Sequence, residues 1–377
     1  MIRVLHVTFD LKLGGTQQVI RQIVANMDQN RFENHVLCTD GEIGELGELL
    51  QADHNIIISA VSRKPGIDLS LVSSIKSYVK DKGIDVLHCH QYTPYFYGAL
   101  ASLGTGVKLI FTEHGRFYPD VVSTKRQLLN RVLSLWTDAI TSISKATADA
   151  LIALEKLPQK KIEVIYNGIN HELTKLNDAA GKLDEFKNAH GLSQDDFVVG
   201  TISRLEPIKN QKMLIRGFAE VASQVPNAKL LLIGDGAARA ELEALVAELN
   251  LEASVIFTGF IVDPQSYLQL MDVFMLPSFS EGTSMTLLEA MSYSIPAIVT
   301  KVGGSPEIVI DGTTGCVTPS DDQIALVQAM MFLYNQPDKR LEYGKAAYLR
   351  FSEKFTDTVM VNNYESLYCR LLGSVNE

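Results

Sequence analysis

Short runs that are apolar on both faces recur along this chain, and each is followed by a stretch with helical spacing. "IRVLHVTF", "IDVLHCH" and "KLIFTEHG" in the first half, and "FVVGTISR", "AKLLLIGDG" and "SVIFTGF" in the second, are of this kind. A Val/Ile/Leu run without polar alternation fits a parallel strand covered on both sides. Its regular alternation with helices predicts an α/β fold built on doubly wound sheets. The alternation stops once, through the polar stretch "HELTKLNDAAGKLDEFKNAH" at 171–190, and then restarts. The sequence therefore predicts two Rossmann-like domains, 1–170 and 191–354, joined by a linker at 171–190. A final helical stretch, 355–377, is expected to pack back on the first domain. In sheets of this kind ligands bind outside the carboxyl ends of the strands, so the loops there carry the candidate chemistry. The two domains are expected to face each other across a cleft.

Charge narrows the function. The chain of 377 residues has a formal net charge of −10. Residues 1–190 hold 21 basic and 21 acidic side chains, so the whole excess falls on the second half. A globally acidic chain is a poor nucleic-acid binder, and no nucleic-acid partner is expected. The cysteines, Cys38, Cys89, Cys316 and Cys369, form no Cys-x-x-Cys pair. Reduced, buried thiols in a cytoplasmic protein are the expectation. The opening "MIRVLHVTFDLKLGG" reads as a strand and not as a signal peptide. No apolar run reaches the roughly 18 residues that a membrane-spanning helix needs.

Several loops carry groups suited to an anion. Gly14 and Gly15 lie between the first strand and first helix, where a backbone without side chains can approach a phosphate. The pattern is not G-x-G-x-x-G, so an ordinary tight turn is an equal reading. Arg204 and Lys209 flank Pro207 in the loop after "TIS", and two cations there suit a diphosphate, ordinary surface salt bridges being the other reading. In "SEGTSMTLLEAMSYS", Thr283 or Ser284 can cap the helix that follows, and the N–H groups of Gly282, Thr283 and Ser284 suit an anion. Glu281 sits at the edge of that loop. Glu289 falls among Leu287, Leu288, Ala290 and Met291, where a carboxylate needs a partner; backbone N–H groups, a nearby basic side chain or a pair of sugar hydroxyls would serve. His88 and His90 end one strand and His114 another. His114 is placed to meet a substrate hydroxyl or phosphate, or is a structural histidine. No Asp-x-Asp triplet occurs, which weighs against a divalent-metal clamp, and nothing obvious supplies a third zinc ligand beside His88 and His90, so no metal site is expected. No cofactor is expected either.

Taken together, "GGTQQVI", "HCHQYTPYFYGALA", "FTEHG", "VIYNGIN", "SRLEPIKNQ", "LLLIGDG" and "SEGTSMTLLEAMSYSIPAIVT…GGSPEIV" resemble family 4 glycosyltransferases over nearly the full length. The resemblance implies a GT-B fold and a retaining transfer from a nucleotide-diphosphate sugar, with a UDP-sugar favoured. The acceptor it implies is a glycan or a lipid-linked glycan, in cell-surface polysaccharide or lipopolysaccharide assembly. It implies that Glu281 lies near the donor sugar and Glu289 binds the ribose hydroxyls. Arg204 and Lys209 would hold the diphosphate, Gly14 and Gly15 would approach it, and His114 would contact the transferred sugar. Phe260 and Ile261 fall where the base packs. In this reading Glu281, His114, Arg204 and Lys209 are the catalytic group. Thr283 and Ser284 stand where relatives often carry an apolar loop, which leaves the sugar open. A GT-B nucleotide-sugar 2-epimerase, a phosphorylase and a non-catalytic sugar-nucleotide-binding protein remain as alternatives.

A second expectation concerns membranes. "RFYPDVVSTKRQLLNRVLSLW" places Arg116, Lys125, Arg126, Arg131 and Trp136 among aliphatic residues. Such a stretch suits peripheral contact with an anionic surface on the inner face of a membrane, or packing on its own domain.

Overall fold

The computed structural model describes residues 1–54, 56–115, 122–170 and 180–373. The chain divides into two compact units, one of Met1–Gly168 with Asp357–Glu377 and the other of Ile169–Thr356.

The first unit is built on seven strands: β1 (Ile2–Thr8), β2 (Phe32–Cys38), β3 (Ile57–Ala60), β4 (Val86–His90), β5 (Lys108–Glu113), β6 (Ala139–Ser142) and β7 (Ile162–Val164). Their order is β3-β2-β1-β4-β5-β6-β7, with every pairing parallel. The order reverses between β1 and β4, which makes that edge the switch point. Helices connect the strands. Leu69–Lys82 is one: Asp68 caps it by accepting from the Ser70 N–H at 2.9 Å, and Gly83 ends it at φ 61°. On one sheet face Leu5, Val7, Leu87, Leu109 and Phe111 pack with Leu71, Ile75 and Tyr95.

The other face departs from the expectation of a wholly apolar strand surface. His6, His88, His90 and Thr112 lie there fully buried. They are satisfied by one another and by the helix Asp357–Leu372, whose Tyr368 hydroxyl stands 2.7 Å from His88 Nδ1. That helix is tied to the same unit by Glu365, whose carboxylate accepts from the Asp28 N–H at 2.9 Å.

The second unit has six parallel strands: β8 (Phe197–Ile202), β9 (Ala228–Ile233), β10 (Val255–Gly259), β11 (Val273–Leu276), β12 (Ala297–Thr300) and β13 (Gly315–Thr318). Their order is β10-β9-β8-β11-β12-β13, so the switch point lies between β8 and β11. The helix Gln211–Gln224 buries Leu214, Phe218 and Val221, an i, i+4, i+7 stripe, against Val199, Leu230 and Met330. Residues 171–179 of the expected linker lie outside the described residues. Its remainder is not a linker: Ala180–His190 is a helix of the second unit, with Phe186 edge-on to Tyr267 at 5.1 Å. The polarity that suggested a linker belongs to its exposed face.

Candidate functional site

In the second unit the loops after β8 and β11 carry the charged side chains singled out by sequence, and the loop after β10 carries Phe260 and Ile261. The loop after β8 is shaped by its neighbour. Leu205 N–H donates to the Asp235 carbonyl and Ala238 N–H to the Leu205 carbonyl, both at 2.9 Å. Gly234 and Gly236 lie at φ 133° and 159°, and a Cβ on either would stand 2.1 Å from the Ser203 carbonyl oxygen or 2.4 Å from that of Leu205. The Gly-Asp-Gly turn is therefore a close backbone contact that moulds the Arg204 loop.

Lys209 and Glu281 meet across the switch point. Lys209 Nζ donates to Glu281 Oε1 at 2.6 Å, and the Ser278 hydroxyl donates to the same oxygen at 2.6 Å. Both side chains are largely withdrawn from solvent, at 19% and 8% exposure. A backbone bond from Phe279 N–H to the Ile208 carbonyl, 2.8 Å, fastens the two loops beside them. Arg204 stands differently: its side chain is 73% exposed and pairs with Glu206 at 2.6 Å. Its loop is held from behind by Gln211, whose Nε2 donates to the Arg204 carbonyl at 2.8 Å. The sequence predicts two cations poised for a diphosphate. Each is already paired with a carboxylate: Lys209, drawn out of water, needs the counter-charge of Glu281, whereas Arg204 meets Glu206 in solvent. A diphosphate meeting them would share Nζ with Glu281 and the guanidinium with Glu206, which the three and five donors of these groups permit.

The helix Met285–Ser292 begins at Ser284, whose hydroxyl accepts from the Leu287 N–H at 3.3 Å. Ser284, not Thr283, is the cap; Gly282 and Thr283 form the turn before it. Gly303 crosses behind this loop at φ 49°, and a Cβ there would stand 1.7 Å from the Glu281 carbonyl oxygen. Glu289, in the second helical turn, keeps one oxygen bonded to Gln265 Nε2 at 3.2 Å. The other, Oε2, is buried with no partner among the described residues. Burial pushes this carboxyl up to about 7, with Gln265 opposing and Asp263 adding to the rise. Gln265 follows the loop after β10, where Phe260 is 66% exposed and Ile261 half-buried.

The remaining candidates belong to the first unit. Gly15 opens the helix Gly15–Asn26, and Gly14 precedes it with an extended backbone. Neither needs a positive φ; a Cβ on Gly15 would meet nothing within 4 Å, whereas one on Gly14 would stand 2.5 Å from Gln17 Oε1, so the open space lies at Gly15. His114, just past β5, bonds through Nε2 to His90 Nδ1 at 2.9 Å. Burial drives it down to about 3, so the ring is neutral. Sequence reading missed Ser278, Glu206 and Gln265. The first two sit within three residues of a charged candidate. Gln265 is 24 residues from Glu289 and only the fold reveals it.

The amphipathic stretch is partly taken up by its own unit. Arg116 lies outside the described residues. Arg126 turns inward to Glu155 at 2.8 Å and stacks 3.7 Å over the Tyr92 ring. Trp136 donates to the Ala99 carbonyl at 3.1 Å. Lys125 and Arg131 stay exposed, beside exposed Leu128, Val132 and Leu135. Among the described residues no helix is long and apolar enough to cross a membrane.

Comparison with known proteins agrees with this picture. Residues 183–350 match the family described as glycosyl transferases group 1, and residues 13–173 match glycosyltransferase family 4. The "Putative glycosyltransferase EpsD" of Bacillus subtilis (strain 168) is 30% identical over 79% of this chain and 81% of its own. The N-acetyl-alpha-D-glucosaminyl L-malate synthase of Bacillus anthracis is 28% identical over 85% of this chain and 84% of its own. The structure of Anabaena HepE in complex with UDP superposes with a TM-score of 0.84, covering 98% of this chain and all of that one at 22% identity, and thereby shares the fold.

Proposed function

Since the chain belongs to the glycosyltransferases of group 1 and family 4 and has their GT-B fold, we propose that it is a retaining, metal-independent transferase. In this reading it moves a sugar from a UDP-sugar to a glycan or lipid-linked acceptor in cell-surface polysaccharide or lipopolysaccharide assembly. The observation that carries the reading is the buried, unpartnered Oε2 of Glu289 beside Gln265, an acceptor suited to a ribose hydroxyl. The exposed Phe260 ring on the adjoining loop suits the base, and HepE binds UDP on the same fold.

The mechanism follows from charge. As the bond to the anomeric carbon breaks, negative charge gathers on the diphosphate. Lys209 and Arg204 stabilise it from the carboxyl end of β8. Glu281 holds Lys209 in place and lies where it supports the cationic sugar. The departing phosphate takes the acceptor proton on the same face, which preserves the anomeric configuration. Gly14 and Gly15 approach the diphosphate, with the open space at Gly15, and His114 contacts the sugar. The absence of an Asp-x-Asp triplet supports a role for side-chain cations in place of a metal.

A nucleotide-sugar panel read by thermal shift tests the donor, because a ligand that binds only the folded state raises Tm by mass action. At one hundred times Kd the gain is about 2.7 kcal/mol, and a UDP-sugar is expected to stand out. Transfer is expected to persist in excess chelator and to give a product of unchanged anomeric configuration by NMR. Inversion, or loss in chelator with recovery on added Mg²⁺ or Mn²⁺, overturns the mechanism. The acceptor arm of the assay sets an undecaprenyl-linked glycan against L-malate, the group named for the Bacillus anthracis relative.

Peripheral membrane contact belongs to the same proposal, now resting on Leu128, Val132, Leu135, Lys125 and Arg131. Co-sedimentation with anionic vesicles is expected for the native chain and expected to be lost in Leu128→Glu/Val132→Glu. Equal binding of both proteins, or of neither, removes the idea.

A further inference from the structure

At the switch point of the first sheet, four neighbouring strands place one hydrogen-bonding side chain each in a single buried line. Asn34 comes from β2, His6 from β1, His90 from the end of β4, and His114 follows β5. His6 Nε2 is 3.4 Å from Asn34 Oδ1. His6 Nδ1 is 3.0 Å from His90 Nε2, the two rings stacked at 5.3 Å. His90 Nδ1 is 2.9 Å from His114 Nε2. The line ends at His114 Nδ1, which is buried and has no partner among the described residues.

With the Asn34 oxygen turned toward His6, one proton per ring sets the direction of every bond. His6 and His90 are fully buried, and burial disfavours the charged ring, lowering His6 to about 4 and His90 well below its usual value. Each ring therefore carries one N–H. The Asn34 oxygen can only accept, so the proton of His6 sits on Nε2 and its Nδ1 is bare. His90 must then donate from Nε2, which leaves its own Nδ1 bare. His114 in turn donates from Nε2, and its Nδ1 emerges as a lone pair. We propose that Asn34, His6 and His90 are positioning residues that set the tautomer of His114, so that its free nitrogen accepts a hydrogen bond from a hydroxyl and cannot donate to a phosphate. That this hydroxyl belongs to the donor sugar rests on the functional reading above; the tautomer does not. A buried acceptor left unpaired costs stability, which is consistent with an end kept open for a ligand.

A different use of these rings is a metal ion, since His6, His88 and His90 offer nitrogens within 4.8 Å of one another. The existing bonds oppose it. Both nitrogens of His88 are taken, by the Tyr368 hydroxyl at 2.7 Å and the Thr112 hydroxyl at 2.5 Å. The facing nitrogens of His6 and His90 are taken by each other.

The test is NMR of the donor-free protein labelled with ¹⁵N in histidine, where a bare ring nitrogen and a protonated one give widely separated shifts. His114 is expected to show a bare Nδ1 and a protonated Nε2, as a single form. In Asn34→Leu the anchor at the far end is gone, and the His114 signals are expected to move toward an average of the two tautomers. A protonated Nδ1 in the native protein overturns the proposal, as does one equivalent of zinc retained by the protein after dialysis. An unchanged His114 tautomer in folded Asn34→Leu overturns the part assigned to Asn34. Because no donor is present, these outcomes are independent of whether the chain uses a UDP-sugar.

Discussion

Replacing Lys209 with methionine is expected to lower turnover at saturating donor about a hundred- to a thousandfold, the usual cost of removing one preorganised donor from a transition state that gathers negative charge. The same change has a second consequence, because Lys209 is also the counter-charge of Glu281 at 2.6 Å. Removing one partner of a largely buried pair leaves the other uncompensated, which typically costs about 3–5 kcal/mol of stability. The single variant therefore confounds a folding defect with a catalytic one. The double variant Lys209→Met/Glu281→Gln separates them. It retains the Ser278 bond to residue 281 and carries no buried charge, so its Tm is expected to return close to that of the native protein. Its turnover is expected to stay at or below that of the single variant. If turnover recovers with Tm, the cation is structural and the proposed mechanism fails.

In Glu289→Gln, stability and binding are expected to move in opposite directions. The folded carboxyl titrates at about 7 against an ordinary value of 4.5. Between those two pH values the folded state holds a proton that the unfolded state has released, so stability falls as pH rises through this window and is level above it. The loss amounts to about 3 kcal/mol, an order-of-magnitude figure. Glutamine does not titrate and avoids it. The variant is expected to match the native protein near pH 4 and to exceed it at pH 8 by roughly 5–10 °C in Tm. In the proposed role of Glu289, donor binding requires the ionised carboxylate to accept the ribose hydroxyls. Native Kd is therefore expected to rise about tenfold for each pH unit below 7 and to be flat above it. The variant should bind weakly at every pH. The probe is an intact nucleotide sugar, since a terminal phosphate titrates by itself near about 6. A native Kd independent of pH between 5.5 and 8, or a variant no more stable at pH 8, removes Glu289 from the ribose.

The two α/β repeats are legible in the residues alone, because a strand covered on both sides must be written as a short unbroken apolar run. The sequence also placed Arg204, Lys209 and Glu281 in loops at strand ends and Glu289 inside a helix, since each lies a few residues from the run that fixes its position. Which groups touch was decided only by the tertiary structure. Lys209 and Glu281 are 72 residues apart and meet because β8 and β11 are neighbours. His6 and His90, 84 residues apart, meet because β1 lies beside β4. Periodicity says which side chains leave solvent, but strand order is set by crossovers whose closure leaves no local pattern. The inward turn of Arg126 and Trp136 has the same origin: the helix is amphipathic in sequence, and only the neighbours Glu155, Tyr92 and Ala99 decide which of its polar groups are already spent.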